Sequence, residues 1–410
     1  MTMEFKQTQL DNGLTIIAEL NPTAASLASG FFVRTGSRDE TPDVSGVSHF
    51  LEHMVFKGTA RRSPLDVNRD FDEMGANYNA FTSEENTVYY AAVLAEFQDN
   101  MLDLLGDILR PSLRQEDFDL EKNVILEEIA MYQDMPRYRL YDRIMATHFA
   151  GHPLGNSVLG TADSIRNMKR DAMQAYFDQR YSPSNITLVG VGNIDFARYV
   201  RKAQEMCSHW HRYAVERVTP RSGVVKSVEA IADSKVTRQN VGLMSPAPAA
   251  QDGQRFAAML AAAIIGDSTG SRLFYSLVEP AIADEASMGY DALDGEGAFL
   301  TFFSSDPEKA GIALQIVRDE LRKFQDAGPS EAEMVAARNK IASASTLKGE
   351  LPMGRLTAVG FDWQYRKEYV PLEKQIEQLM AVSIEDVLKV VRTYDLSALT
   401  VLGLGPLESI

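Results

Sequence analysis

Cysteine is nearly missing from this chain. Its 410 residues contain one, Cys207, which excludes an internal disulfide framework and fits a reducing compartment. Long apolar runs are absent as well. No stretch approaches the ~20 unbroken apolar residues that a membrane-spanning helix needs. The start, Met1 to Lys6, has no basic region leading into an apolar run and no Arg-rich, acid-poor character, so neither a secretory signal nor a transit peptide is expected there. Positive charge is in short supply: 41 Lys and Arg stand against 57 Asp and Glu, a net charge of −16. That balance excludes nucleic acid as a partner, because its phosphates would be repelled. It suits a soluble surface and is compatible with basic peptides. What remains is ordinary globular composition, 45% apolar and 24% charged, with enough length for two to four domains.

The chain repeats itself with an offset of about 210 residues. An apolar strand at Thr87–Val93 precedes an amphipathic stretch at Glu96–Leu109, and a strand at Ala298–Ser304 precedes one at Glu308–Phe324. Charged helices follow at Arg114–Asp134 and from Ser330 to Lys340. Each half closes on a helix, a turn and a strand, Asp163–Arg180 with Asn185–Val191 and Ser383–Tyr394 with Ala398–Leu404. Matching order of elements marks a duplication. The expected architecture is α+β: two duplicated halves, each a mostly antiparallel sheet packed with helices, at 1–215 and 225–410. Within the first half, Gly13–Glu19 and Ala28–Arg34 alternate as strands. A helix is predicted over Val47–Phe56 with Asp43 or Ser45 as its cap. Gly75–Thr82 opens another strand.

Two of the six histidines lie four residues apart with a glutamate between them, in His49-Phe50-Leu51-Glu52-His53. At about 100° per residue, positions i, i+3 and i+4 share one helix face. Two imidazoles one turn apart can grip a single metal ion, and the carboxylate beside them can reach a water on it. This order is the inverse of the common zinc-peptidase pattern. Phe50, Leu51, Met54, Val55 and Phe56 imply a buried helix, and burying three polar groups without a partner would cost several kcal/mol. A metal explains all three. A catalytic zinc takes a third protein ligand, and the helix after Pro111 offers Glu116, Glu121, Glu127 and Glu128. Glu121 and Glu128, seven apart, project within about 20° of each other. One could bind the ion and the other could orient a ligand.

With these motifs the chain resembles the inverted-zincin peptidases, the family of pitrilysin, insulin-degrading enzyme and mitochondrial processing peptidase. It is most similar to short bacterial members akin to the processing-peptidase β subunit. His49 to Thr59 carries the family's signature nearly throughout, Glu121 to Glu128 its second motif, and Gly75 to Thr82 its substrate-holding strand. The resemblance implies Zn2+ held by His49, His53 and Glu128, support from Glu121, and Glu52 as general base. It further implies substrate binding along Asn77, Asn79, Ala80 and Phe81, an edge strand pairing with an extended peptide. The implied activity is hydrolysis of unfolded peptides or presequences by a cytoplasmic bacterial protein. The implied assembly is a homodimer, or a heterodimer with a related subunit.

One departure stands out. Relatives often carry an Arg and a Tyr seven apart after a Ser-Arg-Leu-Phe-like segment. Here Ser271-Arg272-Leu273-Phe274 is followed by Val278 and Glu285 at those positions, with Tyr290 as a substitute in a shifted register. The alternative function is therefore a non-catalytic or heterodimer-dependent subunit. His148 and His152 read as structural, and Gly151–Gly155 as a turn. Cys207, His209 and His211 alternate but lack a second ligand pair. Gly266–Ser271 is glycine-spaced without the Lys-Ser/Thr of a phosphate loop.

Overall fold

The computed structural model describes residues 3–410. Met1 and Thr2, part of the stretch read for a targeting signal, lie outside the described residues. In chain order the elements begin with β1 (Glu4–Gln9), β2 (Thr15–Leu20), β3 (Ser26–Val33), α1 (Val47–Val55), α2 (Pro64–Glu73), β4 (Asn77–Thr82) and β5 (Thr87–Leu94). Helices α3 (Gln98–Ile108), α4 (Gln115–Gln133), α5 (Pro136–His148), α6 (Ala162–Asn167) and α7 (Arg170–Arg180) follow, then β6 (Ile186–Gly192) and α8 (Phe196–Cys207). The chain continues through β7 (Ser227–Ala232), β8 (Gln239–Pro246), α9 (Arg255–Gly266), β9 (Glu285–Ala292) and β10 (Gly297–Ser305). It ends with α10 (Pro307–Ala327), α11 (Glu331–Gly349), α12 (Pro352–Arg366), α13 (Leu372–Ala381), α14 (Ile384–Thr393) and β11 (Thr400–Gly405). Among the described residues, no helix is long and apolar enough to cross a membrane.

The fold is α+β, with two sheets of mostly antiparallel strands. The first runs β1-β2-β6-β3-β5-β4 and the second β7-β11-β8-β10-β9. Without β1, the first order maps onto the second strand by strand. Each sheet contains one parallel pair, β2 with β6 and β7 with β11, and it falls at the same place in both. Identical order with the parallel pair in register is the duplication expected from the sequence.

Alternation along the central strands explains how helices cover the sheets. Successive side chains of β3 point to opposite faces. Phe31 meets Trp210, with ring centroids 5.7 Å apart, while Phe32 meets Phe361 of α12 edge-on at 5.7 Å. Helix α12 lies close enough that a Cβ at Gly360 would stand 2.2 Å from the Phe32 ring; only glycine permits that approach. Arg355 of α12 forms an ion pair with Glu19 of β2 at 2.8 Å, and both side chains are buried. Gln364 donates to the Phe32 carbonyl at 2.8 Å.

The compact units are not linear pieces of chain. One comprises residues to Ala130, Asn156–Val218 and Leu347–Val370; the other comprises Met131–Gly155, Thr219–Thr346 and Pro371–Ile410. The break between Val218 and Thr219 falls in the interval expected between 215 and 225, but two segments are exchanged across it. Helix α12, from late in the chain, completes the first unit. Helix α5, from early in the chain, completes the second, where Leu140 and Ile144 pack with Met244, Phe302, Leu402 and Leu404. Both exchanged helices start with proline, Pro136 and Pro352. Proline cannot continue a helix from within but suits a first turn, so each long helix stops and its successor takes a new direction.

The helix predicted over Asp163–Arg180 is instead two helices, α6 and α7. Met168 turns to extended backbone and is buried. Lys122 donates to the carbonyls of Arg166 and Met168 at 3.1 and 2.8 Å, which satisfies acceptors the break would strand. Histidines 148 and 152 hold structural bonds, to the Thr400 hydroxyl and the Pro220 carbonyl at 3.0 and 2.9 Å.

Candidate metal centre

Helix α1 carries the paired histidines, and its start is built from a distance. The expected caps, Asp43 and Ser45, do not cap it. The N-cap is Gly46, with φ +89° and no side-chain bond of its own. The first amides instead meet Glu40, whose carboxyl oxygens accept from Gly46 N at 2.6 Å and Ser48 N at 2.7 Å. Glu40 reaches over the entering turn, while Asp43 accepts from the Thr41 hydroxyl at 2.6 Å instead. Burial pushes its pKa up to about 8, against the pull of those two amides.

His49, Glu52 and His53 share one face of α1, as their spacing predicts. His49 is 8% exposed, and burial, with His53 next to it, pushes its pKa down to about 3. It is a neutral imidazole at physiological pH. His53 is pulled both ways: burial lowers its pKa, and the Glu121 bond with the neighbouring carboxylates outweighs that, so the net direction is up. His53 Nδ1 lies 2.9 Å from Glu121 Oε1. Glu121 Oε2 lies 2.6 Å from Lys57 Nζ. Glu121 is thus held ionised: the bonds from His53 and Lys57 outweigh burial and lower its pKa. An ionised acceptor makes His53 Nδ1 the donor and leaves Nε2 with its lone pair.

Of the four carboxylates on α4, Glu128 faces the histidines. Its Oε2 lies 3.4 Å from His53 Nε2 and 3.7 Å from His49 Nε2. That oxygen is buried and has no hydrogen-bond donor. Two imidazole nitrogens and a carboxylate oxygen without a hydrogen-bond partner converge in a largely buried spot, which is costly unless a cation lies among them. Ligands about 2.0–2.2 Å from a tetrahedral zinc sit roughly 3.3–3.6 Å from one another, close to the separations seen. Among the described residues, His49, His53 and Glu128 form the one group able to hold a metal ion, with ligand atoms within 4.8 Å of each other. Glu121 stands behind His53, and Glu116 and Glu127 are both exposed and outside the group. Cys207, His209 and His211 form no such group; Cys207 is buried.

Glu52 lies beside this cluster. Burial raises its pKa, partly offset by a bond from Thr82. Thr82 Oγ1 donates to Glu52 Oε2 at 2.6 Å. Thr82 ends β4, the edge strand of the first sheet. Ser83 N donates to Asn86 O at the turn, so the ladder bonds to β5 alternate from there. By the β4–β5 register, Phe81, Asn79 and Asn77 spend their backbone groups on β5. The backbones of Thr82, Ala80 and Tyr78 point to the free edge. Ala80 N accordingly meets the Asn79 side chain, at 2.9 Å, rather than a ladder carbonyl. Of the four residues expected along the substrate strand, Ala80 offers backbone to the edge; Asn77 and Asn79 present exposed side chains, and Phe81 packs near Phe361. Thr82 and Lys57 were not singled out from sequence. Lys57 had a local signal, being one turn beyond His53; Thr82, thirty residues from Glu52, had none.

In the second unit, the positions of the Arg–Tyr pair are otherwise engaged. Val278 packs against the apolar core, Glu285 pairs with Arg137 at 3.0 Å, and the Tyr290 hydroxyl donates to the Pro248 carbonyl at 2.7 Å.

Residues 15–162 match the family model of insulinase, peptidase family M16, and residues 167–341 match that of the peptidase M16 inactive domain. A Streptomyces coelicolor protein described as an uncharacterized zinc protease is 31% identical over 397 residues, covering 94% of this chain and 86% of its own length. A Mycobacterium bovis protein of the same description is 30% identical over 395 residues, 94% of this chain and 90% of its own. Among solved structures, a protease from Helicobacter pylori superposes with a TM-score of 0.91 at 20% identity, over 98% of this chain and 100% of that one. A structure described as a peptidase M16 inactive domain from Pseudomonas fluorescens gives 0.90 at 16% identity, over 99% and 98%.

Proposed function

The chain belongs to the insulinase family, peptidase family M16, and on that premise we propose that it is a zinc-dependent endopeptidase acting on unfolded peptides. The observation that carries this reading is the Glu128 oxygen without a donor, facing two imidazole nitrogens at 3.4 and 3.7 Å. His49, His53 and Glu128 would hold the ion. When bound, zinc supplies Lewis acidity, acidifying water and polarising a peptide carbonyl. Glu121, fixed by Lys57, orients His53 and selects the tautomer that can ligate. Glu52 takes the proton of the attacking water and returns it to the departing amine. Ala80 and Tyr78 present backbone groups with which an extended peptide can pair, which requires an unfolded segment and tolerates varied side chains.

Two chains pair in this reading, as the family resemblance implies, and the lone buried thiol fits a reducing cytoplasm. A second reading is favoured by Val278, Glu285 and Tyr290, whose engagement leaves no Arg–Tyr pair to grip substrate: the chain is silent until a sibling subunit joins it.

Metal analysis with cleavage of an internally quenched, unstructured peptide tests both. The expected outcome is one zinc per chain, lost in His53→Ala. Glu52→Gln keeps the zinc and loses turnover by roughly 10²–10⁴-fold. Wild-type cleavage by Glu52→Gln, or a metal-free wild type, defeats the proposal; a zinc-loaded chain active only beside a sibling chain selects the second reading.

A further inference from the structure

The hydrogen bond between Thr82 and Glu52 joins two parts of the site that come from separate elements. Glu52 stands on α1; Thr82 ends the edge strand β4. The bond is 2.6 Å, hydroxyl to Oε2. A glutamate side chain turns about three bonds and is costly to immobilise. With Oε2 engaged, the carboxylate cannot rotate freely. Thr82 also belongs to the alternate set of β4 residues, with Ala80 and Tyr78, whose backbone lies on the free edge.

We propose that Thr82 is a positioning residue for Glu52, so that the strand receiving the substrate backbone also sets the orientation of the base. This rests on the peptidase reading above and adds to it a coupling between substrate register and proton transfer. A threonine there does what a purely structural residue would not: its hydroxyl and its backbone amide both face the Glu52 carboxylate, while Ala80 and Tyr78 of the same strand offer their backbone to the substrate edge. Because reacting groups must be held to within a fraction of an ångström, loss of such a tie lowers turnover far more than binding.

Thr82→Val removes the hydroxyl and keeps the shape; Thr82→Ser keeps the hydroxyl. With an internally quenched, unstructured peptide, Thr82→Val is expected to lower kcat about 10- to 100-fold while KM stays within about twofold, and Thr82→Ser to restore most of the loss. Two measurements independent of turnover accompany these. Zinc affinity, by competition with a chromophoric chelator, stays unchanged in Thr82→Val. Peptide affinity, by fluorescence anisotropy in the Glu52→Gln background, stays unchanged when Thr82→Val is added. Wild-type kcat in Thr82→Val overturns the proposal. So does a fall in kcat matched by loss of zinc or peptide affinity, which would make Thr82 structural. Wild-type turnover by Glu52→Gln is a different failure: it removes the peptidase reading underneath.

Discussion

At the scale of single residues, the site is a problem in placing charge. Two imidazoles and a carboxylate point at one spot, and each imidazole has surroundings that suit it. His49 is kept neutral by burial. His53 is aimed by Glu121, and Glu121 is fixed by Lys57. Removing the aim without the ligand is informative: Glu121→Gln is expected to weaken zinc binding about 10- to 100-fold, because the amide cannot enforce the donor role of Nδ1. Chelator competition measures it, and unchanged affinity would show that His53 needs no such support. The histidine spacing was legible in the sequence because it is local helical geometry. Periodicity did not choose Glu128 over Glu121, since the two share a face and differ only in what that face meets; the resemblance of the Glu121–Glu128 motif to the family's made that choice.

At the scale of elements, the exchanged helices matter most. Helix α12 reaches the first sheet through Arg355, whose guanidinium pairs with Glu19 at 2.8–3.0 Å, while Tyr369 donates to the same carboxylate at 2.8 Å. Truncating one partner leaves a buried charge alone. Arg355→Met is therefore expected to destabilise the protein by about 3–5 kcal/mol, read from the denaturation midpoint; a change below about 1 kcal/mol would mean that α12 is held by its apolar face. Sequence patterning assigns no element to the stretch that forms α12, and nothing local says which sheet a helix covers. Glu19 and Arg355 are 336 positions apart. Pro136 and Pro352 do signal, in retrospect, where each long helix must release its successor. The cap of α1 failed to be legible for a similar reason, because Glu40 closes it across the loop that precedes the helix.

At the scale of the whole molecule, duplication supplies two sheets of one design, and the unit of one of them carries the His49–His53–Glu128 cluster. The second has a buried histidine of its own with another consequence. Burial pushes the His148 pKa down to about 4 from the usual 6.5. In that interval the unfolded chain takes up a proton that the native state refuses, so stability is full above about pH 6.5 and declines as pH falls towards 4. The loss approaches about 3 kcal/mol. His148→Gln, whose amide can donate to the Thr400 oxygen as the imidazole does, is expected to flatten the acid limb of a stability-versus-pH curve between those values. An unaltered limb would assign acid sensitivity to other groups.

The sequence by itself determined the kinds of ligand, the shared face of His49, Glu52 and His53, and the repeat of elements, because these depend on neighbours within a turn or on order along the chain. Tertiary structure alone decided that Thr82 holds Glu52 and that α5 and α12 change units; that Glu128 meets the imidazoles and that β4 is an edge were implied by the family resemblance and by no local pattern. Those outcomes follow from sheet order and helix docking, where contacts between distant residues compete for the same buried surface and no local pattern records which will win.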